Sequence, residues 1–462
     1  STSSSPNAHD PRRASLAQAA RWVARQPAWA ATLLAATTLA IAASVSIAHW
    51  PQPRIHDEFS YLLAADTFAD GRLSNPSHPL LRHFETFHVI HEPSYASKYP
   101  PGQGFVLALG QILAGHPLIG VWGFSAASSV ACYWMLLGGP APRWAVAGGL
   151  LAATHPGLQL VWGQSYWGGT LAFVGGALVA GAAPRMRRTA RLRDALAMAG
   201  GGICLALTRP FEGLVFCLLL GSWIAYGWMK ERYLPLGHVL LYSVLPLAVV
   251  FVALATGLAG YHRAVTGDPW TMPYQVHENA YGRSPLFLWQ EPAPKRAYQH
   301  DVFTSFHDGW SMGWYNAQQS ATGWLQMKLR LAGQAVAHFF PPLLLIPLAF
   351  LRPWRHGRLG VAIAVILLTW AATWATVWNA PHYLAAFGPL CIAVMVRGVR
   401  YLEVAGRRRL AIPHLAACVL ALHTITFAAA ASTQTAGNPR GWHEARAHIL
   451  ADLAAYGERH LL

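Results

Sequence analysis

Apolar segments of membrane-spanning length recur along almost the whole chain and leave little freedom in how it folds. They lie at 28–49, 118–137, 144–162, 168–183, 195–208, 211–229, 235–258, 331–351, 359–378, 383–399 and 410–431. In hydrocarbon, backbone N–H and C=O groups must be satisfied within the spanning structure, so such runs predict helices. The expected fold class is an all-α polytopic membrane protein with about eleven transmembrane helices. Composition agrees: 54% hydrophobic, 11% charged and 20 tryptophans in 462 residues fit a membrane bundle better than two or three soluble domains. The first run is too long for a signal-peptide core, which predicts a retained helix. Cys132, Cys204, Cys217, Cys391 and Cys418 all fall within apolar runs and read as small buried hydrophobes, with no disulfide framework implied.

A further apolar run, Gly104–Ala114, is too short to span and follows Pro100-Pro101, so it predicts a helix resting at the outer interface. With that helix left out of the count, the basic clusters at 12–25, 185–193, 230–232, 352–358 and 397–409 fall on one side. Together with Arg143 they hold 20 of the 34 Lys and Arg residues, against four of the 19 acids: Asp10, Asp194, Glu231 and Glu403. By the positive-inside rule this side is cytoplasmic. The +15 net charge is therefore an orientation signal, with no base-contacting features that would make it a nucleic-acid surface. The expected division is a cytoplasmic tail (1–27), a transmembrane domain (28–431) and an external C-terminal segment (432–462). Within the domain, 50–117 is a first external loop with interfacial helices and 260–330 a large external loop.

The first loop concentrates the chemistry. Asp57–Asp70 predicts a short amphipathic helix closed by Gly71, with Asp57, Tyr61, Ala64 and Phe68 on one face. Lys98-Tyr99-Pro100-Pro101-Gly102 then sets an extended backbone. Farther on, Thr208-Arg209-Pro210-Phe211-Glu212 breaks an otherwise continuous apolar run and places Arg209 at the outer interface, where an ionisable group is a functional candidate. The short outer turns Trp162–Gly169 and Trp378–Tyr383 add aromatic residues.

At these residues the chain resembles the GT-C superfamily of polyprenyl-phosphate-sugar-dependent glycosyltransferases. More narrowly, it resembles the branch of protein O-mannosyltransferases and the lipid A aminoarabinose transferase. The resemblance rests on D-E-F-S-Y-L-L-A from Asp57, K-Y-P-P-G from Lys98, T-R-P-F-E-G from Thr208 and P-H-Y-L-A-A-F-G-P-L from Pro381, and spans roughly residues 27–399. Two departures stand out: Gln164-Ser165-Tyr166 where relatives often carry a second acid, and Pro-His-Tyr at 381–383 where many have Arg-Tyr.

The resemblance implies a GT-C-type bundle in a bacterial inner membrane with its active site on the periplasmic face. There a sugar would pass, with inversion, from a polyprenyl phosphate to a hydroxyl of a glycan, lipid or protein acceptor. The acceptor O–H needs a carboxylate and the departing phosphate needs cations. Asp57 takes the base role with Glu58 as its catalytic neighbour, and Lys98, Arg209, Arg82 and His382 take the phosphate. Tyr61, His83, Tyr99, Tyr166 and Tyr383 are the substrate contacts. Plainer readings stand beside these. Asp57 is an N-cap of the helix that follows, Lys98 a snorkelling loop lysine, and Arg209 the partner of Glu212 in an ion pair. His56, His83, His88 and His91 with Glu85 show no standard metal spacing beyond an i, i+3 pair, so no metal or cofactor is assigned, a divalent metal being the alternative. A lipid-linked-sugar flippase, or a glycan ligase or polymerase using a diphosphate donor, is the competing function.

Overall fold

The computed structural model describes residues 26–48, 50–139, 141–231, 234–351, 357–410, 412, 414–436 and 442–455. The expected tail (1–27) lies almost wholly outside the described residues. The described chain is helical nearly throughout, with one two-stranded antiparallel hairpin, β1 (Val89–Ile90) and β2 (Ala96–Ser97).

The principal helices are α1 (Pro27–Ala48), α2 (His56–Ala69), α3 (Gly102–Ala114), α4 (Pro117–Leu136), α5 (Pro142–Ala153), α6 (Thr170–Thr189), α7 (Leu192–Ala206) and α8 (Pro210–Glu231). They continue with α9 (Leu245–Thr266), α10 (Pro273–Ala280), α11 (Ala321–Phe339), α12 (Gly357–Thr373), α13 (Gly388–Ala405), α14 (Leu415–Ala436) and α15 (Trp442–Ala455).

All eleven predicted runs carry helix, but they are not eleven spanning helices. Among the described residues six are long and apolar enough to cross a bilayer: Pro27–Ile47, Pro117–Leu137, Pro210–Glu231, Leu236–Thr266, Pro381–Arg408 and Leu415–Thr433. A seventh results if Ala321–Phe339 and Pro342–Ala349, bent by 95° at Pro341, count as one. The other four runs fall short for separate reasons. The run at 144–162 stops at Ala153, because Pro156 cannot continue the ladder. α6 ends in Arg185, Arg187 and Arg188. α7 and α12 are 15 and 17 residues long. α3 is a 13-residue apolar helix too short to span, with Ile112 and Leu113 exposed.

The core is built around α6, whose residues are almost all buried against α4, α7, α8 and α13. Small residues allow these backbones to approach closely. A Cβ on Gly176 would stand 1.8 Å from the Ala386 carbonyl oxygen, and one on Gly120 would stand 1.9 Å from that of Val106. All five cysteines are free, and Cys418 is exposed on α14, contrary to the expectation of burial.

Two ends of the bundle are distinguished by side-chain contacts. At one, Arg185 donates to the Trp134 carbonyl (2.8 Å), Arg358 to that of Gly138 (3.4 Å), and Arg187 pairs with Glu231 (2.6 Å). This joins the C-terminal ends of α4, α6 and α8 to the start of α12. At the other, the Gly102 N–H donates to the Leu207 carbonyl, linking the start of α3 to the end of α7. Trp50 donates to His116 there, and Arg209 lies over Tyr383.

The two long loops both pack at this second end and form one cap. Ser74 and Ser94 donate to the carbonyls of Ala264 and Val265, Tyr281 donates to Glu85, and Phe87 stacks on Phe303. α15 returns to the same end, with the Arg446 guanidinium 4.7 Å from the centre of the Phe59 ring.

Candidate functional site

α2 starts one residue earlier than the pattern indicates, which changes what Asp57 is. Ile55 is the residue preceding the helix, and Asp57 is the second helical residue, so the N-cap reading is overturned. The helix N-terminus still favours its negative charge. One oxygen, Oδ1, accepts a 2.5 Å hydrogen bond from the Tyr99 hydroxyl, while Oδ2 lies 3.8 Å from His88 Nε2. The Asp57 side chain keeps 30% of its surface accessible. Burial, then the charge of Asp57, pushes the Tyr99 phenol well above its ordinary value, so Tyr99 keeps its proton and remains the donor.

Tyr61, one helical turn on, stacks on the same Tyr99 ring at 4.7 Å, as expected for residues sharing a face. Burial raises its pKa. The nearby charge of Arg209 pulls it back, and that of Asp57 adds to the rise, so this one hydroxyl senses both groups. Arg209 sits where α7 gives way to Pro210 and α8, its guanidinium 4.4 Å from the centre of the Tyr383 ring. No ion pair within 4 Å joins it to the buried Glu212, though its charge acts on that carboxyl.

Glu58 does not face Asp57's surroundings. Its Oε2 accepts from the backbone N–H of Arg54 (2.6 Å) and Ile55 (3.2 Å), and Oε1 from that of Tyr166 (2.9 Å). With three amides on its two oxygens and only 3% exposure, it fastens the loop before α2 to the Trp162–Gly169 turn and is not placed for catalysis. Burial pushes its pKa up, and the amides oppose that shift. Tyr166 is likewise occupied, its hydroxyl donating to the Pro51 carbonyl. It packs in one apolar cluster with Tyr61 and Tyr99.

Lys98 is not a free cation. It is buried and pairs with Glu278 Oε1 at 3.1 Å, its Nζ 5.1 Å from the Tyr274 ring centre. Burial alone would raise the Glu278 carboxyl, but Lys98 and the adjoining His277 hold it down to about 2. His277 Nδ1 lies 3.2 Å from Glu278 Oε1, and burial followed by the Lys98 charge lowers this imidazole to about 4. His88, whose ring is 6.0 Å from that of His277, is depressed well below its ordinary range, mainly by burial, and so is neutral beside Asp57.

Arg82 and His83 are exposed on a turn outside this cluster, and the Arg82 carbonyl accepts from His300. His382 is buried, packing on Trp167 at 4.3 Å and next to Tyr383. His91 is taken up by the Thr86 backbone. Among the described residues no three His, Cys, Asp or Glu side chains converge as a metal-ligand set.

The structure therefore brings together Asp57, Tyr61, Tyr99, Arg209 and Tyr383, with Lys98 alongside and Tyr166 in one apolar cluster with Tyr61 and Tyr99, and leaves out Arg82, His83 and Glu58. Residues the pattern did not single out, His277 and Glu278, come from α10. Nothing local marks them, because their partner is 180 residues away. These features define an all-α protein of the lipid bilayer, carrying a polar, aromatic cluster under a two-loop cap. A scan of protein-family models and a search of curated proteins return no match to the chain.

Proposed function

We propose that this chain is a membrane glycosyltransferase of GT-C type, moving a sugar from a polyprenyl-phosphate donor to an acceptor hydroxyl. Asp57 orients the acceptor O–H and takes its proton as the oxygen attacks the anomeric carbon from the face opposite the phosphate. The bond from that carbon to the phosphate oxygen breaks, the phosphate leaves with the electron pair, and configuration inverts. Arg209, with Tyr383 beneath it, is the cation for the departing phosphate. No water-activating second acid is needed, so the occupied state of Glu58 does not count against the scheme.

The observation that carries the reading is the placement of Asp57: an accessible carboxylate bonded to the Tyr99 phenol, with Arg209 close enough that its charge and that of Asp57 both act on Tyr61. Lys98 enters as the partner of Glu278 that fixes the cap and Tyr99, which lies 5.5 Å from its Nζ. The side-chain contacts at the two ends support eleven passes of the bundle, five of them made by short, arginine-ended or bent helices. On the positive-inside rule the arginine-rich end is cytoplasmic and the cap periplasmic. On that reading the N-terminus is cytoplasmic, and the resemblance to the GT-C transferases carries the expectation of a bacterial inner membrane.

The test is Asp57→Asn in proteoliposomes supplied with radiolabelled polyprenyl-phosphate sugars and a cell-envelope acceptor extract. Transfer is expected to fall by at least about a hundredfold, the lower range for a general base, with thermal unfolding unchanged. Full turnover by the variant removes Asp57 from the mechanism. Translocation of the labelled lipid without transfer identifies a flippase instead.

A further inference from the structure

At the end of the bundle opposite the cap, a cavity of about 360 Å³ opens between α12, α13 and the end of α4. Three arginines line it, Arg358 from α12 and Arg397 and Arg400 from α13, and its remaining wall is largely apolar, including Leu136, Leu359 and Val396. Among the described residues none of the three has a carboxylate within ion-pair distance. Arg358 reaches only the Gly138 carbonyl at 3.4 Å, and Arg397 lies 5.3 Å from the centre of the Tyr401 ring. The acid on this stretch of α13, Glu403, is already committed to Arg407 (2.6 Å) and to the Ala416 N–H (3.0 Å).

Three arginines lining a space whose described walls hold no acid suit an anion from outside the chain. Apolar walls beside them fit a ligand that is charged at one end and hydrocarbon beyond. We infer that this cavity binds the headgroup of an anionic phospholipid. The arginines take its phosphate, and Leu136, Leu359 and Val396 receive the glycerol and the first acyl carbons. Basic pockets between transmembrane helices are suited to such headgroups, and guanidinium forks match phosphate oxygens. The inference does not depend on the transferase reading, because the cavity lies at the other end of the molecule.

The experiment titrates the purified full chain, in neutral detergent, with phosphatidylglycerol bearing a fluorescent acyl tail. Unlabelled phosphatidylglycerol, phosphatidylcholine and inorganic phosphate serve as competitors. Phosphatidylglycerol is expected to compete at least about tenfold better than phosphatidylcholine, and inorganic phosphate at the same concentration not at all. Each arginine neutralised is expected to cost about fivefold in affinity, so Arg358→Gln/Arg397→Gln/Arg400→Gln loses more than tenfold. Equal competition by the two lipids, displacement by inorganic phosphate, or wild-type affinity in the triple variant overturns the inference. Should the triple variant fail to fold, a photo-crosslinking phosphatidylglycerol on the wild-type chain decides. Adducts within 357–362 or 393–400 support the site, and adducts confined to other segments overturn it.

Discussion

At the capped end Lys98 meets a carboxylate 180 residues away, Asp57 meets Tyr99 across 42, and Tyr281 meets Glu85 across 196. At the arginine-rich end, cations turn to carbonyl oxygens and aromatic faces. Arg185 donates to the Trp134 carbonyl and stacks on that residue's ring at 4.2 Å, and Arg187 lies over Trp223. Both ends are charged, but the first balances its buried ions with partners drawn from two separate loops, so its order depends on those loops meeting. The second presents its charge outward, as an interface with lipid headgroups requires.

The comparison breaks most easily at the buried pair. Lys98→Met leaves Glu278 as a largely buried anion without its ammonium, a change expected to cost about 3 kcal/mol. Removing both charges in Lys98→Met/Glu278→Gln is expected to recover most of that loss, because the penalty comes from the orphaned ion and not from the absent attraction. Thermal unfolding of the two variants in one detergent measures this; equal losses in both would mean the cap is not held by this pair.

Acid is expected to weaken the same region before the rest. Glu278 falls from 4.5 to about 2 and His277 from 6.5 to about 4 on folding. In both windows the unfolded chain binds more protons than the folded one, so stability rises with pH. It is lost from about pH 6.5 down to 4 through His277 and from about 4.5 down to 2 through Glu278. His277→Asn is expected to reduce the slope of the upper window, which the neighbouring His307, also lowered to about 4, shares, and Glu278→Gln to flatten the lower, read as unfolding temperature against pH. An unchanged slope in both variants would place the titrating groups elsewhere.

A smaller effect separates two adjacent acids. Glu58→Ala strips the acceptor from three backbone amides, for an expected loss of about 2 kcal/mol. Asp57→Ala removes no cap, but it takes away a charge at a helix N-terminus and the acceptor of the Tyr99 hydroxyl, for an expected loss of about 1 kcal/mol. Urea or thermal unfolding of the pair gives the order, and a reversed order would restore the cap reading of Asp57.

The same contrast explains what the sequence makes legible. Hydrophobic runs and basic clusters are local signals, so helix positions, the short α3, and the shared face of Asp57 and Tyr61 follow from spacing alone. Which runs are long enough to span does not. Pro156 and Pro341 break two helices inside apolar stretches that composition reads as continuous, and the arginines at the end of α6 count as loop in one reading and helix in the other. The site divides in the same way. Asp57 and Arg209 announce themselves by sitting in polar breaks beside apolar segments. Glu278 and His277 do not, because a buried ion pair is defined by a partner and not by a neighbour. Glu58 shows the opposite error: adjacency to Asp57 makes it look catalytic until its amide partners are located.

The least effect is expected at the arginine-rich end, where Arg187 and Glu231 pair at 2.6 Å with side chains 17% and 38% exposed, Arg187 also lying over Trp223. Water screens such a pair and the two long side chains lose entropy in making it, so exposed pairs contribute about 0.2–1 kcal/mol. Arg187→Gln is therefore expected to fall within that range, well below Lys98→Met, and to shrink further in high salt, whereas the Lys98 penalty persists because its pair is shielded. Unfolding of both variants at low and high ionic strength tests this directly. If Arg187→Gln proves as costly as Lys98→Met and equally insensitive to salt, the two ends hold their charges by the same means, and the arginine-rich end is a buried ionic core.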